Sequence, residues 1–193
     1  PRPPPAPYVH DPAKRLLILD INGVLVRREA FQPHHHGGHG RGGGSPRRAF
    51  VKRPHCDTFL DWAFTHFNVG VWSCGKRETM EMELFAGRPL AFVRSQTDST
   101  SLWPRRSVVA IEKPLFLKEL TRLWDADSRF HAGNTILLDN HAEKFERNPL
   151  GTCVLVPDFV AEEDDALSLV GPLVAHLTAM AACADLAQYA RDH

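Results

Sequence analysis

The apolar positions of this chain fall into short runs separated by polar breaks. Leu16 to Leu19 is an uninterrupted apolar run, Ala49 to Lys52 is a shorter one, and NVGVWS (68–73) has the same strand-like character. Between them, PHCDTFLDWAFTHF (54–67) sets Phe59, Leu60, Ala63, Phe64 and Phe67 on one helical face. Lys76 to Phe85 fits a short helix, and Pro89 to Val93 and Val108 to Ile111 fit short strands. PLFLKELTRLW (114–124) opens on a proline suited to a first helical position and repeats apolar residues at helical spacing, so a helix is predicted there. NTILLD (134–139) and GTCVLVP (151–157) read as strands, and Leu169, Leu173, Leu177 and Met180 as the stripe of a closing helix. Strand and helix alternating in this way predict an α/β domain built on a mainly parallel sheet. The chain has no internal repeat.

Two stretches break the rhythm. Residues 1–13 are proline-rich and are expected to be extended or disordered. PHHHGGHGRGGGSP (33–46) cannot bury a core and is expected to be a flexible loop. Its His34, His35, His36 and His39 have affinity for transition metals, which on a glycine tether is read as adventitious.

At 193 residues the chain fits one domain. Its formal net charge of zero gives no global field for nucleic acid or an anionic membrane, so direct nucleic-acid binding is not expected. Arg27-Arg28, Arg47-Arg48 and Lys52-Arg53 make the first third locally basic, and Glu162 to Asp165 is an acidic run; both read as solvated loops. No apolar run approaches the roughly 18 residues of a membrane span. PRPPPAPY lacks the apolar core of a signal peptide, and native targeting is expected to lie outside the sequence. Cys56, Cys74, Cys153 and Cys183 form no CxxC pair, which points away from zinc and toward a reducing compartment, nuclear or cytoplasmic.

The chemistry turns on LLILDINGVLV (16–26). Asn22-Gly23 between apolar runs is a strong hairpin signal. The same letters describe a buried strand that ends by presenting Asp20 and Asn22. In open parallel sheets, ligands bind beyond the carboxyl ends of the strands. Three runs end in polar residues: LLILD in Asp20, VGVWS in Ser73, and TILLDN in Asp139 and Asn140. If these tips converge, Asp20, Asp139 and Asn140 offer the oxygens that magnesium prefers. A carboxylate in that position can attack a phosphoryl group and form an aspartyl-phosphate. A hydroxyl and an ammonium would then hold the transferring oxygens. Ser73 and Lys118 are the candidates, with Lys113 competing for the second role.

Taken in order, LLILDINGVLV, VKRPHCDTFLDW, VGVWSC, PLFLKELTRLW and TILLDN resemble the haloacid-dehalogenase superfamily. Within it the chain is similar to the FCP/SCP-type, NIF-domain phosphatases related to RNA polymerase II C-terminal-domain phosphatases, over roughly residues 14–190. DINGVLV and KPLFLKEL are nearest in wording to plant members. The resemblance implies a Rossmann-like sheet with helices on both faces, small insertions and no large cap domain. It implies Asp20 as nucleophile, Ser73 and Lys118 as phosphate ligands, and Asp139 with Asn140 as the magnesium motif. Residue 22 would give magnesium a backbone carbonyl, and the implied partner is a phosphoprotein or phosphopeptide.

One departure is chemical. The family signature carries Asp two residues after the nucleophile, to protonate the leaving group and later activate water. Here it is Asn22, which has no ionisable proton. Three expectations follow: a magnesium-dependent phosphatase, weak or selective for good leaving groups; a pseudo-phosphatase that binds phosphopeptide with little turnover; and, last, a protein-binding domain like that of the Tim-type mitochondrial import receptor. The glycine-histidine loop is a second departure, with no counterpart in the family pattern.

Overall fold

The computed structural model describes residues 7–28, 50–74, 84–108 and 111–193. The histidine-glycine loop, most of the predicted helix at Lys76 to Phe85 and the first six residues lie outside the described residues.

Five parallel strands form the central sheet. They are β1 (Leu16–Leu19), β4 (Asn68–Trp72), β5 (Val93–Arg94), β8 (Thr135–Asp139) and β9 (Cys153–Leu155), arranged β5-β4-β1-β8-β9. Leu16, Leu17, Ile18 and Leu19 are all fully buried because β1 is covered on both faces, as an inner parallel strand must be. This settles the double reading of LLILDINGVLV. β1 takes parallel partners on both sides, and Asn22-Gly23 is a turn beyond its end rather than the tip of a hairpin. Gly23 has φ +84°, a left-handed conformation that costs glycine little.

Alternate residues of the strands feed two cores. Leu17, Leu19, Val69, Val71, Ile136 and Leu138 face helices α1 (Cys56–His66), α3 (Pro172–Ala182) and α4 (Leu186–Asp192). Leu16, Ile18, Trp72 and Leu137 face α2 (Thr121–Ala126) and its flanks through Leu120, Leu123 and Phe130. The sheet is thus helix-covered on both faces, as expected. In α1 the predicted face is buried at Phe59, Leu60 and Ala63, while Phe67 is buried just past the helix end. In α3 the buried stripe is Val174, Leu177 and Met180; Leu169 is 45% exposed and precedes the helix.

Two antiparallel ribbons flank the sheet: β2 (Val26–Arg28) with β3 (Phe50–Lys52), and β6 (Thr100–Arg106) with β7 (Pro114–Leu117). The second corrects the predicted helix over 114–124. Leu115 and Leu117 are buried while Pro114 and Phe116 are only partly so, the period-two burial of a strand, and the helix begins only at Thr121. The strand predicted at Val108 to Ile111 is also displaced, since Val108 and Ile111 are 76% and 74% exposed beyond the ends of β6 and β7. Pro89 to Val93 contributes only Val93 to β5.

The amino ends of the strands are tied down separately. The Asn68 side chain receives hydrogen bonds from the Tyr8 hydroxyl and the Asp11 N–H, and donates to the carbonyls of Asp11 and Lys14. Residues 8–14 are therefore strapped to the bottom of the sheet.

Candidate functional site

β1 lies between β4 and β8, which the chain reaches by opposite crossings, so the strand order reverses there and a crevice opens beyond the carboxyl ends. Asp20 follows β1, Ser73 follows β4, Asp139 ends β8, and Lys118 follows β7. All four are buried: Asp20 is 2% exposed, Ser73 3%, Lys118 and Asp139 0%. Four polar side chains buried at strand ends run against the usual sorting of residues, which marks them as functional candidates.

Their contacts form a closed arrangement of two carboxylates and two ammonium groups. Lys118 Nζ is 2.5 Å from Asp139 Oδ2 and 3.2 Å from Asp20 Oδ1. Lys144 Nζ is 2.9 Å from Asp20 Oδ2 and 2.9 Å from Asp139 Oδ1. Each lysine bridges both acids. The formal charge of the group is zero, which is how two carboxylates can share a dry site. Burial would raise the Asp20 pKa, but Lys118 and Lys144 outweigh it and hold the carboxyl below the usual carboxylate range. Burial would lower the Lys118 pKa, but Asp139 and Asp20 outweigh it and keep the ammonium charged well past neutrality. Lys144 is raised by the same two acids against the same burial.

Lys144 was not among the residues the sequence singled out. It sits in a 3-10 turn, Ala142–Phe145, five positions after Asp139 in DNHAEKF. Its only sequence signal is a lysine one turn beyond an acidic strand end. The backbone locks the two lysines together: Lys118 N–H donates to the Lys144 carbonyl, and Asn148 Nδ2 donates to the Lys118 carbonyl. Lys113, the competitor for the role of Lys118, is exposed.

The tip of β4 reaches the same crevice. Cys74, next to Ser73, lies within the fields of Lys118, Asp20, Lys144 and Asp139, though burial is the main reason its thiol pKa is raised. Ser73 itself is positioned by its N–H, which donates to the Arg94 carbonyl on β5.

Asn22 and Asn140 stand at the rim. Asn140 Nδ2 donates to Asp158 Oδ1 at 2.9 Å, and the His141 N–H donates to Asp139 Oδ1 at 3.0 Å. Gly23 is packed so closely here that a Cβ would come within 2.0 Å of Asn140 Nδ2 and 2.3 Å of Asp158 Oδ1. The turn carrying Asn22 is held from behind by Arg53, the arginine of VKRPH. Its Nη1 donates to the carbonyls of Gly23 and Val24, and its Nε and Nη2 each lie 2.6 Å from a carboxylate oxygen of Asp164.

The donors fit a hard cation. Asp20 Oδ1 and Asn140 Oδ1 are buried without a hydrogen bond, the Lys118 ammonium lying near the first but off the line of one. Oxygen atoms left in that state are the ones magnesium would satisfy. Among the described residues no three His, Cys, Asp or Glu side chains gather as a metal cluster, so any such ion would rest on two carboxylates, amide and backbone carbonyls, and water. Also among the described residues, no helix is long and apolar enough to cross a membrane.

The model of the NLI interacting factor-like phosphatase (NIF) family matches residues 15–187. The chain belongs to that family. Its fold is shared with solved structures of low sequence identity. One is a fission yeast RNA polymerase II CTD phosphatase, an Fcp1 variant bound to beryllium fluoride, with 14% identity and a TM-score of 0.51 over 92% of this chain. Another is an Fcp1 described as an essential RNA polymerase II CTD phosphatase, with 15% identity and a TM-score of 0.53 over 87%. The chain spans 54% of the length of each of these two. No curated protein matches it.

Proposed function

We propose that this domain is a magnesium-dependent phosphatase that works through an aspartyl-phosphate on Asp20. The observation that carries the reading is the buried carboxylate pair Asp20 and Asp139 with Lys118 between them, opening at the carboxyl ends of parallel strands. Asp20 is held ionised, so an oxygen of its carboxylate is ready to attack phosphorus. Lys118 and the Ser73 hydroxyl meet the phosphoryl oxygens as charge spreads over them. Asp20, Asp139, Asn140 and the residue 22 carbonyl would hold magnesium, which supplies further charge neutralisation to the phosphoryl group.

Asn22 sets the limit of the chemistry. It can donate an amide hydrogen bond to a leaving oxygen but cannot transfer a proton to it. The loss of a general acid costs about 10²–10⁴ in rate. Aryl phosphates, whose leaving groups depart as stable anions, are the substrates least affected. Phosphoserine and phosphothreonine in proteins, the substrate class that the family resemblance implies, are slowed most. A second reading rests on the same residue: the domain binds a phosphopeptide or protein partner and turns it over negligibly.

Hydrolysis of p-nitrophenyl phosphate with and without magnesium separates the two. On the first reading the native chain turns over, chelation stops it, and Asp20→Asn is inactive. Turnover confined to Asn22→Asp, together with phosphopeptide binding by the native chain, would favour the binding module instead. No turnover in either would remove the assignment of Asp20 as nucleophile.

A further inference from the structure

Lys144 adds a second cation to the site, and its placement is specific. Its Nζ lies at 2.9 Å from one oxygen of Asp20 and at 2.9 Å from one oxygen of Asp139, the same two carboxylates that would hold magnesium. With Lys118 it brings the group to formal neutrality before any metal is present. A dication added to that arrangement raises the buried charge to +2, which a dry site strongly resists.

The two lysines differ in what would let one of them yield. Lys118 is completely buried, whereas the Lys144 side chain is 13% exposed and arises from a short 3-10 turn at the rim. Lys144 is long enough to retract to the mouth of the crevice without moving its backbone, as lysines at apolar boundaries commonly do. Its turn is itself fixed to the β6–β7 ribbon: Glu143 accepts hydrogen bonds from the Ser107 hydroxyl and the Val108 N–H, and Glu146 pairs with Arg105. The side chain, not the turn, is therefore the moving part.

We propose that Lys144 is a built-in competitor for the metal. It holds the cation position between Asp20 and Asp139 while the site is metal-free, and must withdraw before magnesium binds. This rests on the phosphatase reading for the identity of the competing ion. The consequence is a site that keeps its carboxylates apart and folded without metal, at the expense of metal affinity.

The test is manganese binding, followed by calorimetry and by the rise in Tm with added metal, in the native chain, Lys144→Met and Arg147→Met. Arg147 lies three residues on, is 53% exposed at its side chain, and serves as the control for loss of one nearby positive charge. Lys144→Met should bind manganese about tenfold or more tightly than the native chain, in line with the coupling of a close charge pair. It should also melt lower than the native chain without metal and recover that loss when metal saturates. Arg147→Met should stay within about twofold of native affinity. Equal or weaker binding by Lys144→Met overturns the proposal, and so does an equal gain in Arg147→Met, which would make the effect one of general field. Lys144→Gln, which removes the charge but keeps a neutral donor on a side chain one bond shorter, is to be read by the same criteria if the methionine variant does not fold. Absence of manganese binding in every variant overturns the competitor role. The phosphatase reading is judged separately, by turnover of the aryl phosphate.

Discussion

A buried ion pair and a buried four-membered charge cluster flank the turn at residues 21–24, and they are built differently. Behind the turn, Arg53 and Asp164 meet through two parallel contacts, and the remaining guanidinium edge is used on the carbonyls of Gly23 and Val24. Asp164 Oδ1 takes a further hydrogen bond from the Ala166 N–H. In front of the turn, Asp20 and Asp139 share two lysines, yet Asp20 Oδ1 and Asn140 Oδ1 are left without hydrogen bonds. The first pair has its polar capacity spent inside the protein; the second has acceptor capacity in reserve. Both are largely buried and formally neutral, so neither property by itself tells them apart. What separates them is whether the oxygens still need a partner from outside.

The comparison can be broken by substitutions. The largest effect expected is on chemistry at the front. Asp20→Asn should abolish turnover of the aryl phosphate, by about 10⁵ or more as for other nucleophile deletions, in steady-state assays with magnesium. At the back the expected loss is of stability. Arg53→Met leaves Asp164 and two carbonyls without their donor, and should cost about 3–5 kcal/mol, a Tm drop of about 6 °C or more for a chain of this size. Thermal melting followed by circular dichroism measures it, and a loss below about 1 kcal/mol would make the pair ornamental.

Gly23→Ala joins the two regions and should be smaller. A left-handed non-glycine residue costs of order 1–3 kcal/mol, and here the methyl group would also displace Asn140. Its mark is weakened magnesium affinity together with lowered Tm, where a purely local strain would change only the second.

The smallest effect is one of pH. Burial would raise the Asp164 pKa, but the hydrogen bonds from Arg53 and the Ala166 N–H outweigh it and hold the carboxyl below its ordinary value. A depressed folded-state pKa gives stability that is complete above the unfolded value, about 4, and is lost as pH falls through the folded one. Tm of the native chain should therefore fall more steeply than that of Asp164→Asn as pH drops below about 4. Parallel slopes would show that the pair contributes nothing to acid stability.

The three inner strands of the central sheet were legible in the sequence because burial on both faces forces uninterrupted apolar runs, as in LLIL and TILLD, whereas the short edge strand Val93–Arg94, only partly buried, carried no such run. Three of the residues now in contact, Asp20, Lys118 and Asp139, were legible as strand-end residues or by family motif. Lys144 was not, and Arg53 stood in the family motif VKRPH with no role read for it. A lysine in a short turn looks like any solvated lysine until the turn is folded over Asp139. Arg53 sat in a run of basic residues that reads as a loop, and its partner is 111 residues away. The ribbon strand at Pro114–Leu117 was hidden because four residues followed by a helix carry both periodicities at once.

The strap at residues 8–14 has a practical consequence. Asn68, which it grips, opens β4, while Ser73 lies past the other end of the same strand. Arg15 adds a clamp at that lower end through the carbonyls of Ala181, Gly133 and Cys183. The strap and its exposed residue Ala13 therefore lie at the pole away from the crevice. A fluorophore or surface tether attached at Ala13→Cys would leave the crevice facing open solution.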